Sequence, residues 1–100
     1  MAVVFLTITP IGTATPSVSR YVAGVEKILR ASGLKHQLTA MGTIVEGDLG
    51  EILEVVRAMH EHPFTQGAAR VSTLIKIDDR RDKEHTIAGK MRSVEEKLKG

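Results

Sequence analysis

The chain has 100 residues, of which 42% are hydrophobic and 26% charged, and this composition is ordinary for one globular domain. Cysteine is absent, which excludes a disulfide framework, a thiolate nucleophile and a cysteine-ligated metal. No run approaches the roughly 20 apolar residues of a membrane span, and a net charge of +2 is weak support for a nucleic-acid partner. We therefore expect one domain over residues 1–100, located in the cytoplasm.

The N-terminal third predicts a strand followed by a helix. Residues 3–9 are rich in β-branched side chains and are typical of a strand, which Pro10 and Gly12 are expected to end. Apolar residues then recur at helical spacing between positions 18 and 29. We expect this helix to be capped near Thr15 and to end before Gly33.

The central third predicts a hairpin followed by a second helix. Residues 34–39 and 43–47 are the two expected strands, joined by a turn at 40–42. Asp48, with Glu51 three residues later, is a variant of the capping box that begins helices. The helix is expected to end at His62, because Pro63 follows it.

The C-terminal third predicts a last strand, a charged segment and a last helix. Residues 71–77 alternate as a strand does, and seven of the eight residues at 78–85 carry a fixed charge. The final helix presents one apolar stripe, formed by Ile87, Met91, Val94 and Leu98.

The order of these elements predicts the fold class. It is βαββαβ plus a terminal helix, which indicates an α+β, ferredoxin-like sandwich with one four-stranded antiparallel sheet. Two helices should cover one face of the sheet. We expect the other face to be buried against a second copy of the chain, with two-fold symmetry.

Glu46 is the most informative candidate residue. It lies within a predicted strand, on the same face as Ile44. A buried carboxylate needs a cation, hydrogen bonds or a proton, so we expect Glu46 to anchor a ligand. The alternatives are that this face is solvated, or that Glu46 pairs with one of the chain's own arginines.

Hydroxyl side chains supply further candidates for a polar pocket. Ser17 and Ser19 lie near the expected start of the first helix, where free backbone N–H groups bind anions or polar rings. Thr9 and Thr43 lie on or beside the predicted sheet, and Met41 is a candidate apolar wall for a ring. Helix capping alone would account for one or two of the hydroxyls near the helix start.

The charged segment has two interpretations. Arg80 and Arg81 suit an intersubunit contact with carboxylates, because the planar guanidinium fits such pairs, and Asp78 and Asp79 suit the reverse contact. The alternative is a solvated loop whose charges compensate one another.

Other functional classes find little support. The chain has no nucleophile elbow, phosphate-binding loop or dinucleotide fingerprint, so we predict no catalytic residue, no cofactor and no enzyme activity. His60 and His62 are two residues apart and do not face one another on a helix, so we predict no metal site. Of the three aromatic residues, only Phe5 lies in a predicted strand, which disfavours base stacking on the sheet.

Five segments taken together resemble the thiamine-binding protein family, long catalogued as an uncharacterised family. They run in order along nearly the whole chain: Pro-Ile-Gly at 10–12, Ser-Val-Ser at 17–19, Met-Gly-Thr-Ile-Val-Glu-Gly at 41–47, Ile-Asp-Asp-Arg-Arg-Asp-Lys at 77–83 and Ser-Val-Glu at 93–95. The resemblance implies a ferredoxin-like subunit that forms dimers and tetramers. It also implies binding of thiamine, or of its hydroxymethylpyrimidine half, near the sheet and a subunit interface.

Two functions remain open at this point. The first is a cytoplasmic, non-enzymatic protein that binds thiamine or a related pyrimidine and acts as a homo-oligomer, with a dimer of dimers as the expected form. The second is a regulatory or scaffolding oligomer without a small-molecule ligand. Saturable binding of a small molecule separates the first from the second.

Overall fold

The fold is the predicted ferredoxin-like sandwich with an additional C-terminal helix. The computed structural model describes residues 1–12, 19–82 and 86–99. Its elements, in chain order, are β1 (Ala2–Ile11), α1 (Ser19–Ser32), β2 (Lys35–Leu38), β3 (Thr43–Gly47), α2 (Leu49–Thr65), β4 (Arg70–Asp79) and α3 (Ile87–Lys99). The predicted helix cap at Thr15 lies outside the described residues. Within the described ranges, none of the helices is long and apolar enough to cross a bilayer.

The four strands form one antiparallel sheet in the order β2-β3-β1-β4. In the register, Val4 lies opposite Val45 on one side and Ile77 on the other, while Val3 lies opposite Glu46 and Asp78. Directly opposed residues share a face. The sheet therefore has an apolar face, around Val4, and a second face that carries the charged residues.

Helices α1 and α2 cover the apolar face and form the core with it. The buried cluster consists of Ala2, Val4, Leu6, Leu29, Val45, Ile52, Val56 and Met59. These side chains come from alternate strand positions and from helical positions three or four apart, which is the pattern that two amphipathic layers produce. Asp48 caps α2 as predicted, since its carboxylate accepts a hydrogen bond from the N–H of Glu51 over 3.1 Å.

Two prolines do not end the elements that they were expected to end. Strand β1 continues through Pro10, which lies opposite Val71 of β4. Its ladder with β3 stops at Leu6, so Pro10 lies where β1 is paired on one side only, and an edge position tolerates a missing donor. Helix α2 likewise runs through Pro63, which is buried in the last turn of the helix.

The third helix begins on the charged face of the sheet. The backbone N–H of Ile87 donates a hydrogen bond to Glu46, and Thr86 caps the helix through the N–H of Gly89. The predicted stripe forms, but Met91, Val94 and Leu98 are all more than half exposed in the single chain. Helix α3 therefore attaches by its first turns and leaves an apolar surface open.

Candidate ligand-binding groove

A groove opens where β1 extends beyond the end of its pairing with β3. The ladder between these strands ends at the pair Leu6 and Thr43, whereas β1 continues to Ile11 alongside β4. The part of β1 that no longer pairs with β3 forms the floor of the groove, the β2–β3 turn forms one wall and helix α1 forms the other. Its volume is about 270 Å³, just below the range of roughly 300–1,000 Å³ for small-molecule pockets.

The groove is mostly apolar and holds a few polar groups. The apolar side chains that line it are Leu6, Ile8, Val22, Val25, Leu38, Met41 and Met59. The polar residues that border it are Thr7, Thr9, Glu26, Thr39 and Thr43. Of these, Thr7 and Thr9 alternate with Leu6 and Ile8 in β1, so their side chains belong to the opposite face of the sheet. Apolar walls with a small number of aimed polar groups are typical of sites for small organic ligands, because the walls cover the ring faces and the polar groups fix the orientation.

The hydroxyl of Thr43 is buried without a hydrogen-bond partner among the residues that the structure describes. Thr43 is 8% exposed and lines the groove. Its side chain makes no hydrogen bond with any residue in the described ranges. A buried hydroxyl without a partner costs about 1–3 kcal/mol. A polar ligand atom in the groove would recover that free energy.

Glu26 brings a carboxylate to the α1 wall, and one of its two oxygens carries both of its contacts. Oε1 lies 3.1 Å from Nε2 of His36 and 3.5 Å from Nε of Arg30. His36 is held in turn through Nδ1, 2.9 Å from the carbonyl oxygen of Leu34. Oε2 accepts no hydrogen bond from the residues that the structure describes. The carboxylate is thus oriented by the protein and retains one acceptor oxygen.

The turn wall is held rigidly against β1. The hydroxyl of Thr39 donates to the carbonyl of Gly42 over 2.7 Å and accepts from the N–H groups of Met41 and Gly42. A Cβ on Gly42 would lie 2.6 Å from the ring of Phe5 and 2.9 Å from the carbonyl oxygen of Leu6. Glycine is therefore required for the turn to approach β1 this closely.

Glu46 lies away from the groove, on the opposite face of the sheet. It is 4% exposed, so the alternative of a solvated face does not hold at this residue in the single chain. Oε2 accepts a hydrogen bond of 2.7 Å from the N–H of Ile87, and Oε1 lies 3.5 Å from Nζ of Lys35. The partners of Glu46 are thus a helix N-terminus and a lysine, neither of which is an arginine. Its predicted role as a ligand anchor stays a prediction.

The structure brings three of the six predicted ligand residues together. Thr9, Thr43 and Met41 all line the groove, with Met41 at its mouth and 81% exposed. Ser17 lies outside the described residues. Ser19 is described by its backbone alone, as the first residue of α1.

Sequence reasoning missed Glu26. In the sequence this residue is one polar position of an amphipathic helix, and nothing in its spacing separates it from other exposed glutamates. Glu26 can be recognised only once the sheet register is known. That register places His36 on the same face as Val45 and hence beneath the helices. A histidine on the face covered by the helices needs a polar partner, and α1 supplies Glu26.

A second cleft lies between α3 and the charged face of the sheet. Its volume is about 260 Å³, and its apolar lining comes from Val3, Phe5, Ile44, Ile87 and Met91. Lys76, Asp78 and Lys90 lie at its border, where Lys90 Nζ and Asp78 Oδ2 are 2.7 Å apart. Asp78 and Lys90 therefore pair with one another in this cleft, whereas Thr43 has no hydrogen-bond partner among the described residues.

The charged residues after β4 pair within the chain. Arg80 donates to Asp82, with 2.7 Å between Nε and Oδ1, and Arg81 donates to Asp79, with 2.8 Å between Nη2 and Oδ2. These hydrogen bonds raise the pKa of both guanidinium groups above its ordinary value. The intersubunit role of Asp78, Asp79, Arg80 and Arg81 stays a prediction.

Comparisons with a family model, with curated relatives and with solved structures all indicate the same family. Residues 4–95 match the model of a family described as thiamine-binding protein. The UPF0045 protein YqgV of Bacillus subtilis is 53% identical over 102 residues, which cover 98% of both chains. A UPF0045 protein of Staphylococcus xylosus is 47% identical, over 98% of this chain and 95% of its own. The crystal structure of Methanocaldococcus jannaschii MJ1052 matches with a TM-score of 0.85 and 38% identity, over 95% of this chain and 96% of that one.

Proposed function

The chain belongs to the thiamine-binding protein family, and on this premise we propose that it is a cytoplasmic, non-enzymatic protein that binds thiamine or its hydroxymethylpyrimidine half in the groove beside β1. One observation carries the proposal. Among the described residues, the groove is lined both by a buried hydroxyl without a partner, on Thr43, and by a carboxylate with an unused oxygen, on Glu26.

The chemistry of the ligand matches these two groups. An aminopyrimidine has ring nitrogens that accept hydrogen bonds and an exocyclic amine that donates them. In our proposal the Thr43 hydroxyl donates to a ring nitrogen and Oε2 of Glu26 accepts from the amine. A hydrogen bond to a carboxylate is stronger than one between neutral groups, so Glu26 supplies the larger share of the affinity. The apolar walls cover the faces of the ring.

The size of the groove supports the pyrimidine as the part that enters it. At about 270 Å³ the groove suits one small heterocycle, with the rest of thiamine at the mouth beside Met41. We further propose that the protein is a homo-oligomer in which a subunit interface lies near the mouth of the groove, with the dimer of dimers as the expected form.

Calorimetry and native mass spectrometry test the proposal together. Titration with thiamine, with hydroxymethylpyrimidine and with a pyrimidine that lacks the amine should give saturation for the first two and a markedly weaker response for the third. Native mass spectra of freshly purified protein report the subunit number and any retained ligand. Absence of saturation by both amine-bearing compounds would contradict the proposal and favour the regulatory or scaffolding alternative.

A further inference from the structure

We propose that a cleft between helices α1 and α2 binds a small phosphorylated molecule, with Arg20 and Lys27 as the residues that hold its phosphate oxygens. This site goes beyond the proposed function, because it is separate from the groove beside β1. Helix α1 presents different residues to the two spaces. Val22, Val25 and Glu26 border the groove, whereas Arg20, Gly24 and Lys27 line the cleft.

The cleft has room for such a ligand because α1 presents small residues to α2. Its volume is about 540 Å³, within the range of roughly 300–1,000 Å³ for small-molecule sites. On the α1 side it is lined by Ala23, Gly24 and Ala31, and Ile28 adds an apolar surface. The organic part of a ligand would therefore lie on small and apolar residues between the two helices.

Arg20 and Lys27 bring two positive charges to the cleft from one side of α1. They are seven positions apart, which corresponds to two helical turns and about 10 Å along the helix axis. Gly24 lies between them on the same side and has no side chain in the way. Among the described residues, those that line the cleft include no carboxylate. The charge of the cleft is therefore positive and complements an anion.

Neither of these cations has a carboxylate partner within the described ranges. Ion pairs on a helix form between residues three or four positions apart. At that distance from Arg20 or Lys27, helix α1 holds Ala23, Gly24, Arg30 and Ala31. Lys27 makes no hydrogen bond or ion pair with a described residue. Its ammonium group is therefore available to an anion from outside the chain.

Arg20 is oriented by the buried ring of Tyr21. The guanidinium carbon lies 5.0 Å from the centroid of that ring, and Nη2 donates a hydrogen bond of 3.2 Å to the Tyr21 hydroxyl. This contact uses one of the five N–H donors of a guanidinium group and leaves four for a ligand. A planar guanidinium whose orientation is fixed suits phosphate, which it binds through two parallel hydrogen bonds.

His62 brings a further nitrogen donor into the cleft from α2, and Gly24 makes room for it. A Cβ on Gly24 would clash with Nε2 of the imidazole and would lie 2.8 Å from its Cδ2. Neither ring nitrogen makes a hydrogen bond with a residue in the described part of the chain. A phosphate oxygen accepts from an imidazole N–H. Alanine at position 24 would displace the ring without changing the net charge.

Calorimetric titration with inorganic pyrophosphate at low ionic strength tests the site. Arg20→Gln and Lys27→Gln should each lower the affinity by roughly tenfold, the size expected for one lost hydrogen bond between charged groups. Lys97→Gln removes the same charge from the exposed part of α3 and is the matched control, so its affinity should stay within about twofold of wild type. An equal loss in all three variants would show adventitious attraction only and would overturn the proposal.

Gly24→Ala separates a built site from attraction by net charge. The displaced imidazole should lower pyrophosphate affinity by about threefold or more, while the helix keeps its stability because alanine favours it. Gly50→Ala, in α2 and outside the cleft, is the control and should bind as wild type does. Urea unfolding of both variants checks that they fold. Wild-type affinity in a folded Gly24→Ala variant would overturn the role of the cleft.

Two further probes separate a small ligand from a larger one. The proposal expects a response to pyrophosphate that does not require a polymer or a lipid surface. Binding to phosphatidylglycerol vesicles or to a short single-stranded RNA that Lys27→Gln weakens, without any response to pyrophosphate, would overturn the small-molecule ligand.

The outcomes also separate this inference from the proposed function. Thiamine should not displace pyrophosphate, and Arg20→Gln should bind thiamine as wild type does, because Arg20 does not line the groove beside β1. Displacement of pyrophosphate by thiamine would overturn the separate site. Pyrophosphate binding in a protein that does not bind thiamine would support the cleft and contradict the proposed function alone.

Discussion

The backbone N–H of Ile87 donates a 2.7 Å hydrogen bond to the carboxylate of Glu46, joining two residues that are 41 positions apart. A carboxylate at a helix N-terminus satisfies a free donor there and interacts favourably with the helix dipole. The contact places the start of α3 on the charged face of the sheet. Glu46 therefore links the sheet to the C-terminal helix.

Glu46→Gln should loosen α3. The amide keeps an acceptor but loses the charge, so the hydrogen bond to Ile87 and the contact with Lys35 both weaken, at a cost of about 1–2 kcal/mol. Hydrogen exchange should show faster exchange of the amide of Ile87 and of the amides that follow it. Glu95→Gln, on the exposed part of α3, is the matched control and should change neither exchange nor unfolding.

Glu46→Gln also distinguishes the two candidate ligand sites, which are Glu46 itself and the groove beside β1. If thiamine binds in the groove beside β1, Glu46→Gln should leave its affinity within about twofold of wild type, because the carboxylate lies on the other face of the sheet. A tenfold loss in calorimetry, about 1.4 kcal/mol, would instead assign the anchor to Glu46. Retention of the circular dichroism spectrum excludes unfolding as the cause.

Glu46 also illustrates what sequence reasoning reaches and where it stops. Strand alternation predicted correctly that Glu46 shares a face with Ile44, since this follows from local periodicity. Whether that face is solvated or buried was left open by the sequence, and the structure shows Glu46 buried. The partners of Glu46 depend on where α3 packs against the sheet after the charged segment. No local sequence pattern determines that position. Pro10 fails as a strand breaker for the same kind of reason, because its tolerance depends on β3 having already ended beside it.

Some residues of the groove could be predicted from the sequence, but their assembly into one groove could not. Hydroxyls at Thr9 and Thr43 stand out in the sequence as polar positions in or beside β-branched runs. That both residues border one groove requires the register in which β1 extends past its pair with Thr43, and the same register leaves the Thr9 side chain on the opposite face of the sheet. Glu26 joins them from a helix, and its position follows from how α1 packs across the sheet.

Thr43→Val should have opposite effects on stability and on binding. The substitution removes a buried hydroxyl that lacks a partner in the described structure, so the free energy of unfolding should stay constant or rise by about 1 kcal/mol. Affinity for hydroxymethylpyrimidine should fall, because the donor to the ring nitrogen is lost. Urea unfolding and calorimetry on the same preparation measure the two effects.

Thr73→Val is the matched control for that experiment. The hydroxyl of Thr73 is 2.6 Å from Nδ1 of His60, so its removal breaks an existing hydrogen bond and should cost about 1 kcal/mol. Ligand affinity should not change, because Thr73 does not line the groove. Equal destabilisation by both valine variants would show that Thr43 has a partner in solution and would weaken the case for the groove.

Glu26→Gln should lower thiamine affinity by roughly ten- to a hundredfold, the range expected for one hydrogen bond to a charged group. The glutamine oxygen still faces His36, so the α1 wall should keep its structure. Glu61→Gln, an exposed carboxylate on α2, is the control and should bind as wild type does. An unchanged thiamine affinity in Glu26→Gln would remove this carboxylate from the proposed site.

Gly42→Ala should damage the groove through its turn wall. A Cβ there would lie 2.6 Å from the ring of Phe5 and 2.9 Å from the carbonyl oxygen of Leu6, and the backbone oxygen has little freedom to move. The turn must shift away from β1, which should cost about 1–3 kcal/mol, as overpacking typically does, and should weaken ligand binding. Gly50→Ala is the control, since its Cβ would meet only the flexible side chain of Asp48 at 3.2 Å and alanine favours the helix. If Gly42→Ala matched wild type in both unfolding and affinity, the turn would be free to move and would no longer be a rigid wall of the site.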